Sequence, residues 1–273
     1  MKEKVKSVIS LFINRGVILL VFLVFVWSFR YNDEGEGMQR YFALERIRNE
    51  FTLRNEDYFH ILRVMRCHEN DQIEVVHEKT VYLCALKDTE IETRVEIISI
   101  LERGKDEREM VVCVPFLKET KVSYILQKGT EMGATKFIFY PAQYSVVKMD
   151  EEKLEKRKER WQKIVKEASE QSKRNMIPEI EVVDHLQDIK DLKGVKLVCS
   201  TREKEKTLKI FLQSQSNCDT LVVVIGPEGG LDPDEEKQLN EMGYTSVSLG
   251  SRILRVESVP LFVLSCVNYE FME

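Results

Sequence analysis

Residues 222–230, Val-Val-Val-Ile-Gly-Pro-Glu-Gly-Gly, form the first stretch whose residue types and spacing suggest chemistry. The β-branched run predicts a buried strand, and the glycines that end it let backbone amides approach a ligand that side chains would keep away. Asp232, a proline and three acidic residues then predict the first turn of a helix. This order is typical of ligand-binding sites, although an ordinary tight turn has the same composition.

A second stretch, Val247-Ser-Leu-Gly250, predicts another short strand that ends in glycine, with Arg252 and Arg255 close behind it. If both strands belong to one parallel sheet, their loops meet at the carboxyl edge, where open α/β sheets bind ligands. Neither stretch has the G-x-G-x-x-G spacing or the Lys-Ser/Thr of a P-loop. Hydride transfer and phosphoryl transfer therefore lose their best support.

Composition sets limits on the class of protein. The chain has 273 residues, of which 43% are hydrophobic, and a formal net charge of −5. These values predict a soluble protein of two domains, or of one domain with an appendage. The acidic total does not favour a nucleic-acid binder, although local basic patches remain compatible with one. The six cysteines and four histidines form no metal-ligand spacing, which predicts reduced thiols in a cytoplasmic protein and no bound metal.

Residues 1–37 differ from the rest of the chain. Basic residues precede the apolar run 17–27, which resembles the hydrophobic region of a signal peptide and falls short of the roughly 20 residues needed to span a bilayer. No small-x-small cleavage site follows it. We interpret 1–37 as an extension upstream of Met38 outside the fold, with a weak membrane tether as the alternative; membrane contact is not expected.

Residues 38–108 alternate apolar and polar side chains in short runs, which predicts half-buried antiparallel strands and a small β-barrel. A helical stretch, residues 57–66, interrupts them. On it His60, Arg63 and Arg66 are spaced by three residues and would share one face. That face is either a solvated basic surface or a contact surface for phosphates.

Strands and helices alternate from residue 109 to 273, which predicts a parallel sheet with helices on both faces. The last segment, residues 258–271, is apolar almost all round. A helix of this kind must be buried in its own domain or in a partner.

Five ordered blocks together resemble one family. They are Gln127–Gly133, Ser145–Lys148, Glu167–Arg174, Ile225–Gly230 and Leu249–Glu257. These blocks resemble the bacterial 16S ribosomal RNA (uracil(1498)-N(3))-methyltransferases of the SPOUT superfamily. The resemblance runs from Met38 to the end of the chain.

The resemblance implies a PUA-like RNA-binding barrel over 38–108 and a SPOUT methyltransferase domain over 109–273, in which an α/β parallel sheet ends in a trefoil knot. It further implies S-adenosylmethionine as the methyl donor, a homodimer, and a uridine of 16S ribosomal RNA, naked or in the assembled small subunit, as the substrate. The residues expected to hold the donor are Gly226, Pro227, Glu228, Gly229, Gly230, Leu249, Gly250, Ile253 and Leu254.

Methylation at N3 needs an anionic uracil, and a cation aimed at the carbonyl oxygens would stabilise that anion. Arg255 is the first candidate for this role, and Glu257 either orients Arg255 or caps the final helix. Glu228 either faces the donor or satisfies backbone amides at the helix start. These blocks contain no histidine that could act as the general base, so either solvent or a carboxylate must take the proton. The residues expected to contact RNA are Arg40, His60, Arg63, Arg66, Lys148, Gln171 and Arg174.

Two departures from the family pattern stand out. Gln143-Tyr144 replaces an acidic residue and an arginine, and Val256 replaces a threonine before Glu257. The missing arginine is expected to affect RNA binding more than donor binding, because the glycine blocks are intact. The alternatives are a SPOUT enzyme that acts on another RNA or on a ribose 2'-hydroxyl, and a non-catalytic RNA-binding protein.

Overall fold

The computed structural model describes residues 38–87, 94–104, 108–147, 151–215 and 218–271. Residues 1–37, whose exclusion from the fold we predicted, and Lys148 lie outside the described residues. Two six-stranded sheets organise the described part of the chain. The first sheet ends at Glu102 and the second begins at Glu109.

The first sheet is mixed and curls around its own core. Its strands and helix are β1 (Arg40–Phe42), β2 (Glu45–Ile47), β3 (Glu50–Thr52), α1 (Asn55–Phe59), β4 (Gln72–His77), β5 (Thr80–Leu86) and β6 (Arg94–Glu102). The strand order is β1-β4-β5-β6-β3-β2. The prediction of purely antiparallel strands was wrong for β1, which pairs in parallel with β4. The long excursion through β2, β3 and α1 allows this, since a parallel pair needs a crossover connection.

The helical stretch of this domain is shorter and wound differently than predicted. After α1 the helix continues as one π-helical turn, His60–Val64, and the helix ends at Val64. Arg66 follows in the left-handed region, with φ of 56°. A π-helical turn has a longer repeat than an α-helix. The predicted common face of His60, Arg63 and Arg66 is therefore wrong.

The second sheet is parallel throughout. Its elements are β7 (Glu109–Pro115), α2 (Glu119–Glu131), β8 (Lys136–Tyr140), α3 (Glu151–Gln171), β9 (Glu179–Val182), β10 (Val195–Cys199), α4 (Leu208–Gln213), β11 (Thr220–Val224), α5 (Pro233–Glu241), β12 (Thr245–Val247) and α6 (Val259–Glu270). The strand order is β12-β10-β11-β7-β8-β9. Two short 3-10 turns, Leu186–Ile189 and Val256–Ser258, complete it.

Helices cover both faces of this sheet, as the near-continuous apolar strands predict. Val112 and Val114 of β7 point to one core, where they join Ile125 of α2 and Trp161 of α3. Residues of the same strand that point the other way pack in a second core with Leu239 of α5. Burial on both faces leaves the edges and strand ends as the places where polar side chains can gather.

The final helix, α6, packs only part of its surface. Val263, Leu264 and Val267 are fully buried, whereas Phe262 and Tyr269 are 41% and 79% exposed. Among the described residues, none of the helices combines the length and the apolar character that a membrane crossing requires.

Candidate donor and RNA site

The glycine turn after β11 adopts a conformation that only glycine fits. A Cβ on Gly226 would lie 2.9 Å from the backbone nitrogen of Leu231, and Gly230 has φ of +79°. The Gly230 amide donates to the Pro227 carbonyl at 2.9 Å and closes the turn. Asp232 then caps α5, where its side chain accepts from the amide of Asp234. The predicted strand, turn and helix are therefore present.

Three loops meet at one edge of the sheet. They follow β10, β11 and β12, which are neighbours in the strand order. Together they surround a cavity of about 400 Å³, within the roughly 300–1,000 Å³ usual for small-molecule sites. The sequence prediction included the loops after β11 and β12 and missed the loop after β10. The run of polar residues that begins directly after Cys199, where the apolar strand β10 ends, could have identified this loop.

Most residues that we predicted to hold a donor line this cavity. They are Gly226, Pro227, Glu228, Gly230, Leu249, Gly250, Ile253 and Leu254, and the predicted catalytic residue Arg255 lies beside them. Gly229 instead faces the outside of the turn, where a Cβ would lie 3.3 Å from the Cβ of Tyr144. Gly250 has φ of +109°, and an added Cβ there would meet nothing within 4 Å.

The ammonium group of Lys121, which the sequence analysis did not identify, lies between two carboxylates of the site. Lys121, in the first turn of α2, donates to Glu228 at 3.0 Å and lies 3.4 Å from Glu257. Its hydrogen bond to Glu228 raises the pKa of Lys121. Burial disfavours the charged form of Glu228, but hydrogen bonds from its own backbone amide and from Lys121 lower the pKa of this carboxyl overall. Both groups are therefore charged at neutral pH.

Arg255 is held more loosely than Lys121. Its side chain is 85% exposed, and its Nη1 lies 3.9 Å from Oε1 of Glu257. Glu257 lies in the 3-10 turn before α6, between Lys121 and Arg255. That it orients Arg255 rather than capping the final helix stays a prediction.

Further cations border the cavity. They are Arg202, Lys204 and Arg252, and Arg202 donates to Glu236 at 2.7 Å and to the Leu231 carbonyl at 2.5 Å. Cys199 also lines the cavity, and burial raises the pKa of its thiol to about 12. Because only the thiolate is a good nucleophile, this cysteine is poorly suited to covalent catalysis.

The departure at Gln143-Tyr144 lies at the border of the same site. Tyr144 donates a hydrogen bond to Asp232 at 2.6 Å, and the amide of Gln143 donates to Glu235 at 2.8 Å. Both contacts join the loop after β8 to the start of α5. Tyr144 therefore packs against the glycine turn from outside, in the place where the family pattern has an arginine.

Two residues that were predicted to contact RNA, Arg40 and Arg174, are buried, and the prediction was wrong for both. Arg40 is 6% exposed and bonds to Glu74, to Asn175 and to the carbonyl of Lys173. Arg174 is 8% exposed, and its Nη1 donates to the carbonyls of Thr130 and Ala134. These guanidinium groups satisfy carbonyl and carboxyl groups inside the protein, so RNA cannot reach them.

The other predicted RNA contacts are scattered. Arg63 and Arg66 are exposed on the first domain, and half-buried His60 bonds through Nδ1 to the hydroxyl of Tyr41 at 3.0 Å. Gln171 lines a groove between α2 and α3, away from the glycine turn. Lys148 lies outside the described residues. RNA contact by these side chains stays a prediction.

The cavity suits a donor that carries a nucleoside and a sulfonium. Backbone groups of two glycine turns can approach it closely, Ile253 and Leu254 add apolar surface, and Glu228 supplies a negative charge. In the described part of the chain, no cluster of three or more histidine, cysteine or acidic side chains could hold a metal ion.

Comparison with known proteins agrees with this geometry. The profile of a family described as RNA methyltransferase domain matches residues 105–268, and one described as RNA methyltransferase PUA domain matches residues 53–98. A crystal structure of a ribosomal RNA small subunit methyltransferase E from Neisseria gonorrhoeae, bound to S-adenosyl methionine, is 25% identical. It superposes with a TM-score of 0.73 over 85% of this chain and 97% of its own.

These matches confirm the predicted α/β fold of SPOUT methyltransferases with a PUA-like first domain; the trefoil knot stays a prediction. A Bacillus subtilis protein named ribosomal RNA small subunit methyltransferase E is 35% identical over 85% of this chain and 97% of its own length. A Mesomycoplasma hyopneumoniae protein of the same name is 30% identical over 85% of this chain and 100% of its own. The chain therefore belongs to the RNA methyltransferase family of the ribosomal RNA small subunit methyltransferases E.

Proposed function

We propose that this protein transfers a methyl group from S-adenosylmethionine to N3 of one uridine in the 16S ribosomal RNA of the small ribosomal subunit. The observation that carries the proposal is the single cavity formed by three sheet-edge loops, with two glycine turns on its wall and cations at its border. The names of the relatives, with the cofactor bound in the Neisseria gonorrhoeae structure, support the choice of substrate and donor.

The residues that would hold the donor belong to the two glycine turns, with Ile253 and Leu254 as apolar contacts; from the turns they are Gly226, Pro227, Glu228, Gly230, Leu249 and Gly250. When bound, S-adenosylmethionine supplies an electrophilic methyl carbon, whose bond to sulfur breaks with its electron pair left on sulfur as the bond to N3 forms. Glu228 provides a carboxylate that favours a nearby positive charge.

Arg255 is proposed to act on the base. Loss of the N3 proton leaves negative charge on the two uracil carbonyl oxygens, and a guanidinium beside them stabilises that anion. Neither carboxylate of the cavity is a free base, because Glu228 accepts from Lys121 and Glu236 accepts from Arg202. The cations at the border would lower the pKa of the uracil N3, so that its proton passes to solvent or to the remaining carboxylate of the site, Glu257, whose Oε2 accepts no hydrogen bond.

A homodimer that acts in the cytoplasm, where ribosomal RNA is available, is part of the proposal. Support for a dimer comes from α6, where two large aromatic side chains remain exposed on an otherwise apolar helix. Exposed apolar surface of this kind often marks an interface.

The test is to map the methylated nucleoside. The protein is incubated with tritiated donor and either unmodified small subunits or naked 16S ribosomal RNA, and the labelled nucleoside is identified after digestion. Label in N3-methyluridine at a single position is the expected result. Label on a ribose 2'-hydroxyl, or in another RNA only, would support a different SPOUT activity. No transfer, with no donor binding by calorimetry, would support a non-catalytic RNA-binding protein.

A further inference from the structure

Lys121 joins three segments that are distant in the sequence. It belongs to the first turn of α2, while Glu228 belongs to the glycine turn after β11 and Glu257 to the 3-10 turn before α6. Its Nζ lies 3.0 Å from Oε1 of Glu228 and 3.4 Å from Oε2 of Glu257. One ammonium group thus connects the wall proposed to hold the donor with the segment that carries Arg255.

The contribution of these ion pairs to folding stability does not explain the arrangement. Ion pairs that reach solvent contribute little to folding, and the Lys121 side chain is 27% exposed. The two oxygens of Glu257 contact different cations, since Oε2 is near Lys121 and Oε1 is 3.9 Å from Arg255. The Glu257 carboxylate thus lies between the ammonium group of Lys121 and the guanidinium group of Arg255.

We propose that Lys121 is a positioning residue for methyl transfer, which orients Glu257 and through it aims Arg255 at the uracil carbonyl oxygens. This inference rests on the proposed function and adds a residue to it. A guanidinium that is 85% exposed gains catalytic value only if its direction is set before the reaction. Lys121 sets that direction without touching the base.

The charge state of the cluster supports this role. Glu228 faces Lys121 and, at longer range, Lys118, and these cations lower the pKa of its carboxyl against the effect of burial. Glu257 faces Lys121 and Arg255. Removal of the Lys121 charge should raise the pKa of Glu228. As the pH is lowered, the activity of such a variant should therefore begin to fall at a higher pH than the activity of the wild type.

The test compares Lys121→Met and Lys121→Arg with the wild type on unmodified small subunits at saturating donor. We expect Lys121→Met to lower kcat by about 10- to 100-fold, with the Kd of the donor within about threefold and the thermal midpoint unchanged. Lys121→Arg should recover most of the rate. The acid limb of the pH–rate profile should move to higher pH in Lys121→Met. Lys136→Met is the matched control, because it removes an ammonium group that also contacts two carboxylates, Glu179 and Glu181, but lies outside the cavity, and its kcat should stay within about twofold of wild type.

A double variant separates positioning from an independent effect. If Lys121 acts through Glu257, the variant Lys121→Met/Glu257→Gln should be no slower than the slower single variant. Multiplied losses, or wild-type turnover by Lys121→Met, would overturn the inference while leaving the proposed function intact. If the wild type itself transfers no methyl group, the proposed function and this inference both fail.

Discussion

Glycine and arginine contribute to the cavity in opposite ways. Gly230 and Gly250 have positive φ values of 79° and 109°, and their backbones form part of the wall. Arg255, by contrast, carries an 85% exposed side chain. The wall is thus formed before any ligand arrives, whereas the catalytic cation still has to be directed. Substitutions of the glycines should affect donor binding, and substitutions of the cation should affect transfer.

Gly226→Ala should weaken donor binding. The new Cβ would lie 2.9 Å from the backbone nitrogen of Leu231, so the turn has to shift. We expect the Kd of S-adenosylmethionine, measured by calorimetry, to rise by about tenfold or more. Gly229→Ala is the matched control: its Cβ would face Tyr144 outside the cavity, at 3.3 Å, and the donor Kd should stay within about threefold. Equal donor affinity of the Gly226→Ala variant and the wild type would remove the glycine turn from the donor site.

Arg255→Ala should abolish transfer and spare donor binding. The variant loses the charge proposed to stabilise the uracil anion, an effect worth about 100-fold or more in rate. Because the side chain is exposed, the thermal midpoint should not change. Single-turnover methylation and calorimetry are the two measurements. Retained turnover would exclude Arg255 from the catalytic role.

At the scale of elements, strand and helix assignments depended on how long a regular pattern persisted. The apolar strand β11, the capped start of α5 and the final helix α6 lie where the sequence predicted them. Short elements such as β2, β9 and α4 were missed, because three to six residues give too little periodicity to recognise. The π-helical turn after α1 is likewise invisible to an analysis that assumes 3.6 residues per turn.

Helix α6 provides a prediction at this scale. Phe262 is 41% exposed on a helix whose other face is fully buried, which suits a contact between two copies of the chain. Phe262→Asp would place a charge in that contact, and we expect a monomer in sedimentation equilibrium at micromolar concentration. Ile210→Asp, on α4 at 57% exposure, is the control and should leave the mass unchanged. A dimer that survives Phe262→Asp would place the interface elsewhere.

At the scale of the whole molecule, buried charges join the two domains. Lys166 of α3 donates to Asp57 of α1 at 2.5 Å and to Glu170 at 2.6 Å. Arg40 of β1 makes a second such cluster with Glu74 and with Asn175 beyond α3. Buried ion pairs demand good geometry, since an unpaired partner is costly. The contacts of Lys166 with Asp57 and of Arg40 with Asn175 therefore fix the orientation of the first domain relative to the second.

Glu170 makes stability depend on pH. Burial, which outweighs the nearby Lys166, raises the pKa of Glu170 to about 7 in the folded protein. A carboxyl whose pKa is higher in the folded state binds more protons there, so its contribution to stability is present at low pH and is lost as pH rises toward 7 and above. Between pH 5 and pH 8 the wild type should lose about 2 kcal/mol more stability than Glu170→Gln. Urea unfolding at the two pH values measures this difference, and parallel losses would contradict it.

The sequence by itself determined the order of elements in the second domain, the family, and the two glycine turns that line the cavity. These features depend on local properties: apolar periodicity, helix capping at Asp232, and glycine where the backbone needs positive φ. Such properties are encoded within a few neighbouring residues.

Only the tertiary structure decided which charged residues belong to the site. Arg40 and Arg174, which looked like RNA contacts, are buried in the protein, and Lys121, which looked like an ordinary helix residue, contacts Glu228 and Glu257. The partner of a long charged side chain is set by which segments the fold brings within a few ångströms. For Lys121 those segments lie more than 100 residues away, and no local pattern encodes that proximity.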